Sequence, residues 1–198
     1  SSSFLGPQGL FGPKEIAFLG SIGFHLVELN FNHPKTGIDH SDARMGEAFR
    51  EQAERSSLRL VAHAPTNYSL TSPDKDHVAQ AVEEYESVLD GLCAYGIKSM
   101  VVHADVYLKI VAGKENEQKR NLVASLCALA DKCEREEIRL YVETMVPGRI
   151  TSSMDNIIAA VDAVGSPWIG ICLDTNHLNL SEDIAAATLR AGSRIGEI

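Results

Sequence analysis

Asp174 and His177, at the end of the apolar run Ile169 to Leu173, are the residues of this chain best suited to do chemistry together. A buried strand that delivers a carboxylate and an imidazole where it meets solvent suits a divalent metal such as zinc or manganese, which takes oxygen and ring-nitrogen ligands. On its own the pair is explained as well by Asp174 capping the next turn, with His177 solvated in a loop. Four further apolar runs end in the same way, in Glu28, His63, His103 and Glu143. Glu143, after Leu140-Tyr141-Val142, is the hardest to explain structurally, because an unpaired carboxylate is costly to bury. Taken together the set points to a metal site, with Glu28 reading better as a supporting acid or the partner of a lysine. His25, His33, His40 and His77 do not share the register and read as solvated or packing residues.

The elements that position these residues alternate regularly. The strands read as Phe24 to Leu29, Leu58 to His63, Ile97 to His103, Ile138 to Glu143 and Trp168 to Asp174, with one more beginning at Arg194. Helical periodicity fills the intervals: a short helix after Gly12-Pro13, then Ser41 to Ser56, a long helix capped near Ser72-Pro73-Asp74, Lys114 to Arg135, Ser153 to Val164, and one after Ser181. The long helix presents Val78, Ala81, Val82, Tyr85, Leu89 and Leu92 on one face, and the next presents Leu122, Leu126, Leu129, Ala130 and Cys133. Strand ends are spaced by 35, 40, 40 and 31 residues, which predicts a parallel sheet with right-handed crossovers. No GxGxxG or P-loop follows any strand.

A doubly wound sheet accommodates this pattern, but a (β/α)8 barrel explains more, because its active site gathers the C-terminal ends of all strands. Counting back two residues from each polar tip gives Leu26, Val61, Val101, Tyr141 and Cys172, a set suited to one layer inside a barrel. The next step down gives Phe24, Arg59, Ser99, Arg139 and Gly170, a more mixed lower rim. A full barrel needs about 250 residues, and about six strands are visible, with the first absent or reduced to Ser1-Ser2-Ser3. The expectation is a single TIM-barrel domain over residues 1–198, incomplete at both ends, with its wall completed by further chain or by a partner, a homo-oligomer included.

Composition narrows the function classes. Of 198 residues 44% are hydrophobic and 23% charged, as for one globular domain with a sizeable core. The net charge of -9 weighs against a broad nucleic-acid or membrane surface. Cys93, Cys127, Cys133 and Cys172 form no CxxC pair and read as core thiols in a reducing compartment, with the cytoplasm as the default. No apolar segment is long enough to span a bilayer. Lys35, Lys109 and Arg149 lie on loops above the strand ends, where a cation can meet a phosphate or carboxylate, although each singly reads as solvated charge.

The segments His63-Ala64-Pro65, Val101-Val102-His103, Tyr141-Val142-Glu143-Thr144 and Leu173-Asp174-Thr175-Asn176-His177 resemble the xylose-isomerase-like TIM-barrel superfamily. That group holds sugar and sugar-phosphate isomerases and epimerases, and also endonuclease IV. The resemblance runs over nearly the whole chain from Phe24. In the isomerase and epimerase branch it implies that Glu143 and Asp174 bind a divalent metal (Mn, Zn, Mg or Co), completed by a histidine and a glutamate beyond Ile198. It further implies that His177 contacts substrate hydroxyls, and that Glu143 and the final glutamate exchange a proton beside a carbonyl. His63, His103 and Arg149 join His177 as candidate substrate contacts. In the endonuclease branch, His63, His103, Glu143, Asp174 and His177 would all belong to a zinc cluster that cuts at abasic sites. Ala104-Asp105 replaces the Pro-Gly usual there after His103, and Gly-Gln-Gly is missing after Glu143, which favours a carbohydrate substrate. Asn67 beside His63-Ala64-Pro65 pulls mildly the other way. A barrel fragment with no catalysis and no metal is the third reading.

Overall fold

The computed structural model describes residues 11–31, 37–105 and 109–198. Ser1-Ser2-Ser3, His33 and Lys35 lie outside them. Among the described residues, six strands form one sheet in the order β1 (Leu26–Asn30), β2 (Arg59–His63), β3 (Ser99–Val102), β4 (Arg139–Glu143), β5 (Ile169–Cys172) and β6 (Ile195–Glu197). Every neighbouring pair is parallel. Neighbours in sequence are neighbours in the sheet, as right-handed crossovers of one hand produce when a sheet curls into a barrel wall. The six strands and their helices form a partial TIM barrel.

Each helix starts and stops where local chemistry dictates. Pro13 opens α1 (Pro13–Ser21), Asp42 caps α2 (Ala43–Arg55), and Asp183 caps α7 (Ile184–Ala191). The cap of α3 (Lys75–Leu92) is Asp74 and not Ser72: its carboxylate accepts from the Asp76 and His77 amides, while Ser72 Oγ accepts from the Asp74 amide. The loop after α3 turns at Gly96, with φ +66°, a left-handed conformation that glycine adopts without a Cβ clash. Helices α4 (Glu115–Glu136) and α5 (Met154–Val164) complete the outer layer, and α4 buries Leu122, Leu126, Leu129, Ala130 and Cys133 as its periodicity predicts.

Two cores result from strand alternation. Val27, Leu29, Leu60, Ala62, Met100, Val102, Leu140, Val142, Ile169 and Ile171 pack outward against the helices in the large cluster. On the opposite, concave side Val61, Val101, Tyr141 and Cys172 form a separate cluster with Leu26 against it. These are the five residues counted back from the polar tips, so the inner layer lies where parity puts it. Tyr141 fills it, its ring lying over Gly170 and Gly196, where added Cβ atoms would collide with it. Two cysteines depart from the sequence expectation: Cys93, at the C-terminal cap of α3, and Cys127, on α4, are exposed, whereas Cys133 and Cys172 are buried. No described helix is long and apolar enough to cross a membrane.

Candidate metal centre

The layer above Tyr141 is polar, and it converges on Glu143. Parallel pairing sets His63 level with Val101 and Glu143 level with Cys172, so the tips of β2, β3, β4 and β5 stand side by side on the concave face. Glu143 Oε2 lies 2.7 Å from His103 Nε2 and 3.4 Å from His63 Nε2, and its Oε1 lies 3.3 Å from His177 Nδ1. The two Nε2 atoms of His63 and His103 are 3.1 Å apart, with their rings edge to face. Asp174 Oδ2 is 3.6 Å from His177 Nδ1. Five of the candidate site residues are therefore brought together, as two groups that share Glu143: His63 with His103, and Asp174 with His177.

Hydrogen bonds fix which ring atoms are available. A carbonyl can only accept, so His63 Nδ1, 2.9 Å from the Ala64 carbonyl, carries a proton, and Nε2 faces the cluster, as a donor to Glu143 when the ring is charged and as a lone pair when it is neutral. This is the orienting contact that metal-bound histidines characteristically make. His177 Nδ1 donates in the same way to the Thr144 carbonyl at 2.9 Å. His103 Nδ1 is buried without a hydrogen-bond partner among the described residues.

The charges are strongly coupled. Burial pushes the Glu143 carboxyl up, but hydrogen bonds from His103 and His63 and their positive charge outweigh it and hold the group well below the usual carboxylate range. Burial pushes His63 down, and here the Glu143 hydrogen bond, the Glu28 charge and the Ala64 carbonyl win, so its pKa is raised. Glu28, half-buried on β1, thus acts on the site through its charge.

The donor set fits a small divalent cation. Tetrahedral zinc, with bonds of about 2.0–2.1 Å, separates its ligand atoms by roughly 3.3 Å. The His63 Nε2, His103 Nε2 and Glu143 Oε2 triangle has edges of 3.1, 3.4 and 2.7 Å. Three such atoms repel one another unless a proton or a metal lies among them.

Asp174 serves both of the roles its sequence allows. Its Oδ1 accepts the His177 amide at 2.9 Å and caps the one-turn helix α6 (Thr175–Leu178), while Oδ2 remains on the side of the cluster. His177 thus sits on a helix and not in an irregular loop. Arg149 is not among the clustered residues: it lies on the loop after β4, and its charge is felt at Asp105, just past the end of β3. Lys109 is exposed.

Sequence reasoning passed over two supporting residues. Asp105 is fully buried; its Oδ2 accepts from the Ile150 amide at 2.6 Å and the Thr151 amide at 3.3 Å, and its Oδ1 accepts from the Thr151 hydroxyl at 2.5 Å. It ties the loop after β4 to the end of β3. The signal for it was its place two residues beyond His103. Thr144 hydrogen-bonds Asp174 through its hydroxyl, and no sequence pattern announces that.

Comparison with known proteins places this geometry in a family. The family model described as xylose isomerase-like TIM barrel matches residues 16–198. A D-psicose 3-epimerase of Enterocloster bolteae is 29% identical over 158 residues, 75% of this chain and 52% of the relative. A probable endonuclease 4 of Mesomycoplasma hyopneumoniae is 28% identical over 126 residues, 60% of this chain and 41% of the relative. Among solved structures, a D-allulose 3-epimerase from Methylomonas sp. in complex with D-allulose superposes with a TM-score of 0.75 at 25% identity, over 93% of this chain and 64% of that one. The chain spans about half the length of the curated relatives it matches. On its sequence match and its six-stranded parallel wall, this chain belongs to the xylose isomerase-like TIM barrel family.

Proposed function

We propose that this chain is the greater part of a divalent-metal-dependent sugar epimerase, acting at a carbon beside a carbonyl. The observation that carries the reading is the convergence of Glu143, Asp174 and His177 at adjoining strand ends, in a chain similar to a D-psicose 3-epimerase and a D-allulose 3-epimerase. Residues 1–198 form one partial barrel domain in this reading, in a cytoplasmic protein that works alone or as a homo-oligomer.

Glu143 and Asp174 would hold the metal, with His63, His103 and His177 as further candidates and the remaining ligands expected beyond Ile198. A divalent ion held there would supply the Lewis acidity that makes a C–H beside a carbonyl more acidic. Glu143 accepts that proton, its carboxylate form being secured by the two histidines. His177 orients a substrate hydroxyl, and His63 and His103 close the other side of the pocket. Return of a proton on the opposite face needs a second acid, for which the last strand of a barrel is the place. Arg149, on the loop after β4, is the candidate cation for a substrate's outer end.

The second reading, a zinc-dependent abasic-site endonuclease, is favoured by one observation: the His63, His103 and Glu143 triangle is the more closed of the two ligand groups. The acidic net charge opposes it, since a DNA-binding surface draws its affinity from phosphate contacts. Incubating the intact protein with D-psicose or D-fructose and manganese in D2O separates the readings. Deuterium entering the carbon beside the carbonyl, with the epimer formed, is expected. Incision of an abasic duplex with zinc, and no exchange on either sugar, overturns the epimerase.

A further inference from the structure

The β4–β5 ladder ends in an irregular way that bears on His177. With Leu140 paired to Ile169 and Val142 to Ile171, the Leu140 amide donates to the Trp168 carbonyl at 2.8 Å and the Thr144 amide to the Cys172 carbonyl at 3.0 Å. In a regular parallel ladder the Asp174 amide would come next and donate to the Thr144 carbonyl. The Thr144 hydroxyl takes that amide instead, at 2.9 Å, and itself donates to the Asp174 carbonyl at 3.1 Å. The Thr144 carbonyl is left over, and His177 Nδ1 donates to it at 2.9 Å.

We propose that Thr144 is a positioning residue whose hydroxyl stands in for its own carbonyl at the end of the ladder, so that this carbonyl can hold His177 in the Nδ1–H tautomer. The consequence is chemical. With Nδ1 protonated toward the Thr144 carbonyl, and Glu143 Oε1 and Asp174 Oδ2 lying beside that atom at 3.3 and 3.6 Å, Nε2 is the ring's one lone pair in the neutral state, and any metal or substrate hydroxyl must meet His177 through Nε2. Thr144 is completely buried and touches no reacting atom, so it acts through Asp174 and His177. Valine matches its shape but lacks the hydroxyl. In Thr144→Val the Asp174 amide would turn to the carbonyl, in competition with His177. Serine keeps the hydroxyl and should keep the arrangement.

The proposal rests on the epimerase reading for its catalytic meaning, but its test does not need activity. Protein carrying 15N-histidine, freed of metal by chelation and held at about pH 8.5, well above the ordinary imidazole pKa, reports each tautomer through two-bond 15N–1H couplings, with His177→Gln to assign the signal. Wild type and Thr144→Ser are expected to show Nδ1–H at His177, and Thr144→Val to shift it toward Nε2–H. Manganese affinity, by calorimetry, should fall about 10- to 100-fold in Thr144→Val and recover in Thr144→Ser. Unchanged tautomer and affinity in Thr144→Val overturn the proposal. So does an Nε2–H tautomer in the wild type, a result that stands even if the valine variant does not fold. A wild-type protein with the expected tautomer but no action on ketoses sinks the functional reading alone.

Discussion

Glu143 turns one oxygen to His63 and His103 and the other to His177, which makes it the residue whose loss should be felt most. Glu143→Gln keeps the shape but removes the charge that balances His63 and His103. The expected result is proton exchange slowed by about 10²–10⁴-fold, read by deuterium incorporation, together with weaker metal binding. Exchange at the wild-type rate would remove Glu143 as the base. The pH dependence follows from the same coupling. His63 has a raised pKa, so its protonation contributes stability below about pH 6.5, its ordinary value, and that contribution disappears as pH rises through the raised one. A metal that takes His63 as a ligand must displace this proton, and manganese affinity would then climb with pH and level off above the His63 value. Calorimetry in buffers of different ionisation enthalpy would count the proton released; none released at pH 6 would show that His63 stays outside the coordination sphere. These residues were legible because they share a position, the end of a strand, and a type, imidazole or carboxylate. The tautomers were not, because each is decided by a carbonyl, and no residue type marks which carbonyl is left over at a ladder's end.

At the scale of elements, the site depends on loops pinned by buried polar groups and on an inner layer filled by one ring. Asp105 holds the 3₁₀ turn Ile150–Ser152 through acceptor oxygens only. Asp105→Asn would turn an amide NH2 toward backbone donors or leave them unmet, at a cost of about 1–3 kcal/mol. The denaturation midpoint should drop while the slope with urea stays unchanged. The inner layer makes the opposite demand. A methyl group on Gly170 would lie 2.9 Å from Tyr141 Cδ1 and 3.0 Å from the Arg194 carbonyl, so Gly170→Ala should overpack and destabilise by about 1–3 kcal/mol. Combined with Tyr141→Leu the two costs should not add, since the ring that is struck has gone; additive costs would mean that the Arg194 backbone is the real obstacle. Alternation made the inner layer readable in advance, residue for residue, because a strand has one simple period. It also placed the α4 core face. The exposed Cys93 and Cys127 went unread because a helix flank is assigned to core or solvent by its neighbours in space, and α6 because a single turn is too short to show a period.

For the molecule as a whole, the question is which of the two ligand groups around Glu143 holds a metal, and thermal stability answers it without a substrate. A ligand that binds only the folded state, at about 100 times its Kd, adds about 2.7 kcal/mol. In a domain of this size each kcal/mol moves Tm by about 2–4 °C, so saturating manganese or zinc should raise the Tm of the chelated protein by roughly 5–11 °C. The two functional readings divide over which variants abolish the shift. If Glu143 and Asp174 are the ligands, as in the epimerase reading, Asp174→Asn should abolish most of it, and His63→Gln should leave most of it. If His63 and His103 belong to the same cluster, as in the endonuclease reading, His63→Gln should abolish as much as Asp174→Asn. Asp174 also caps α6, so Asp174→Asn must be compared with its own chelated baseline; asparagine retains the capping oxygen and keeps that baseline near the wild type. A melting curve indifferent to both ions in the wild type would leave Glu143 a carboxylate balanced by two histidines for structure alone, and the metal-dependent chemistry would have no place in this chain.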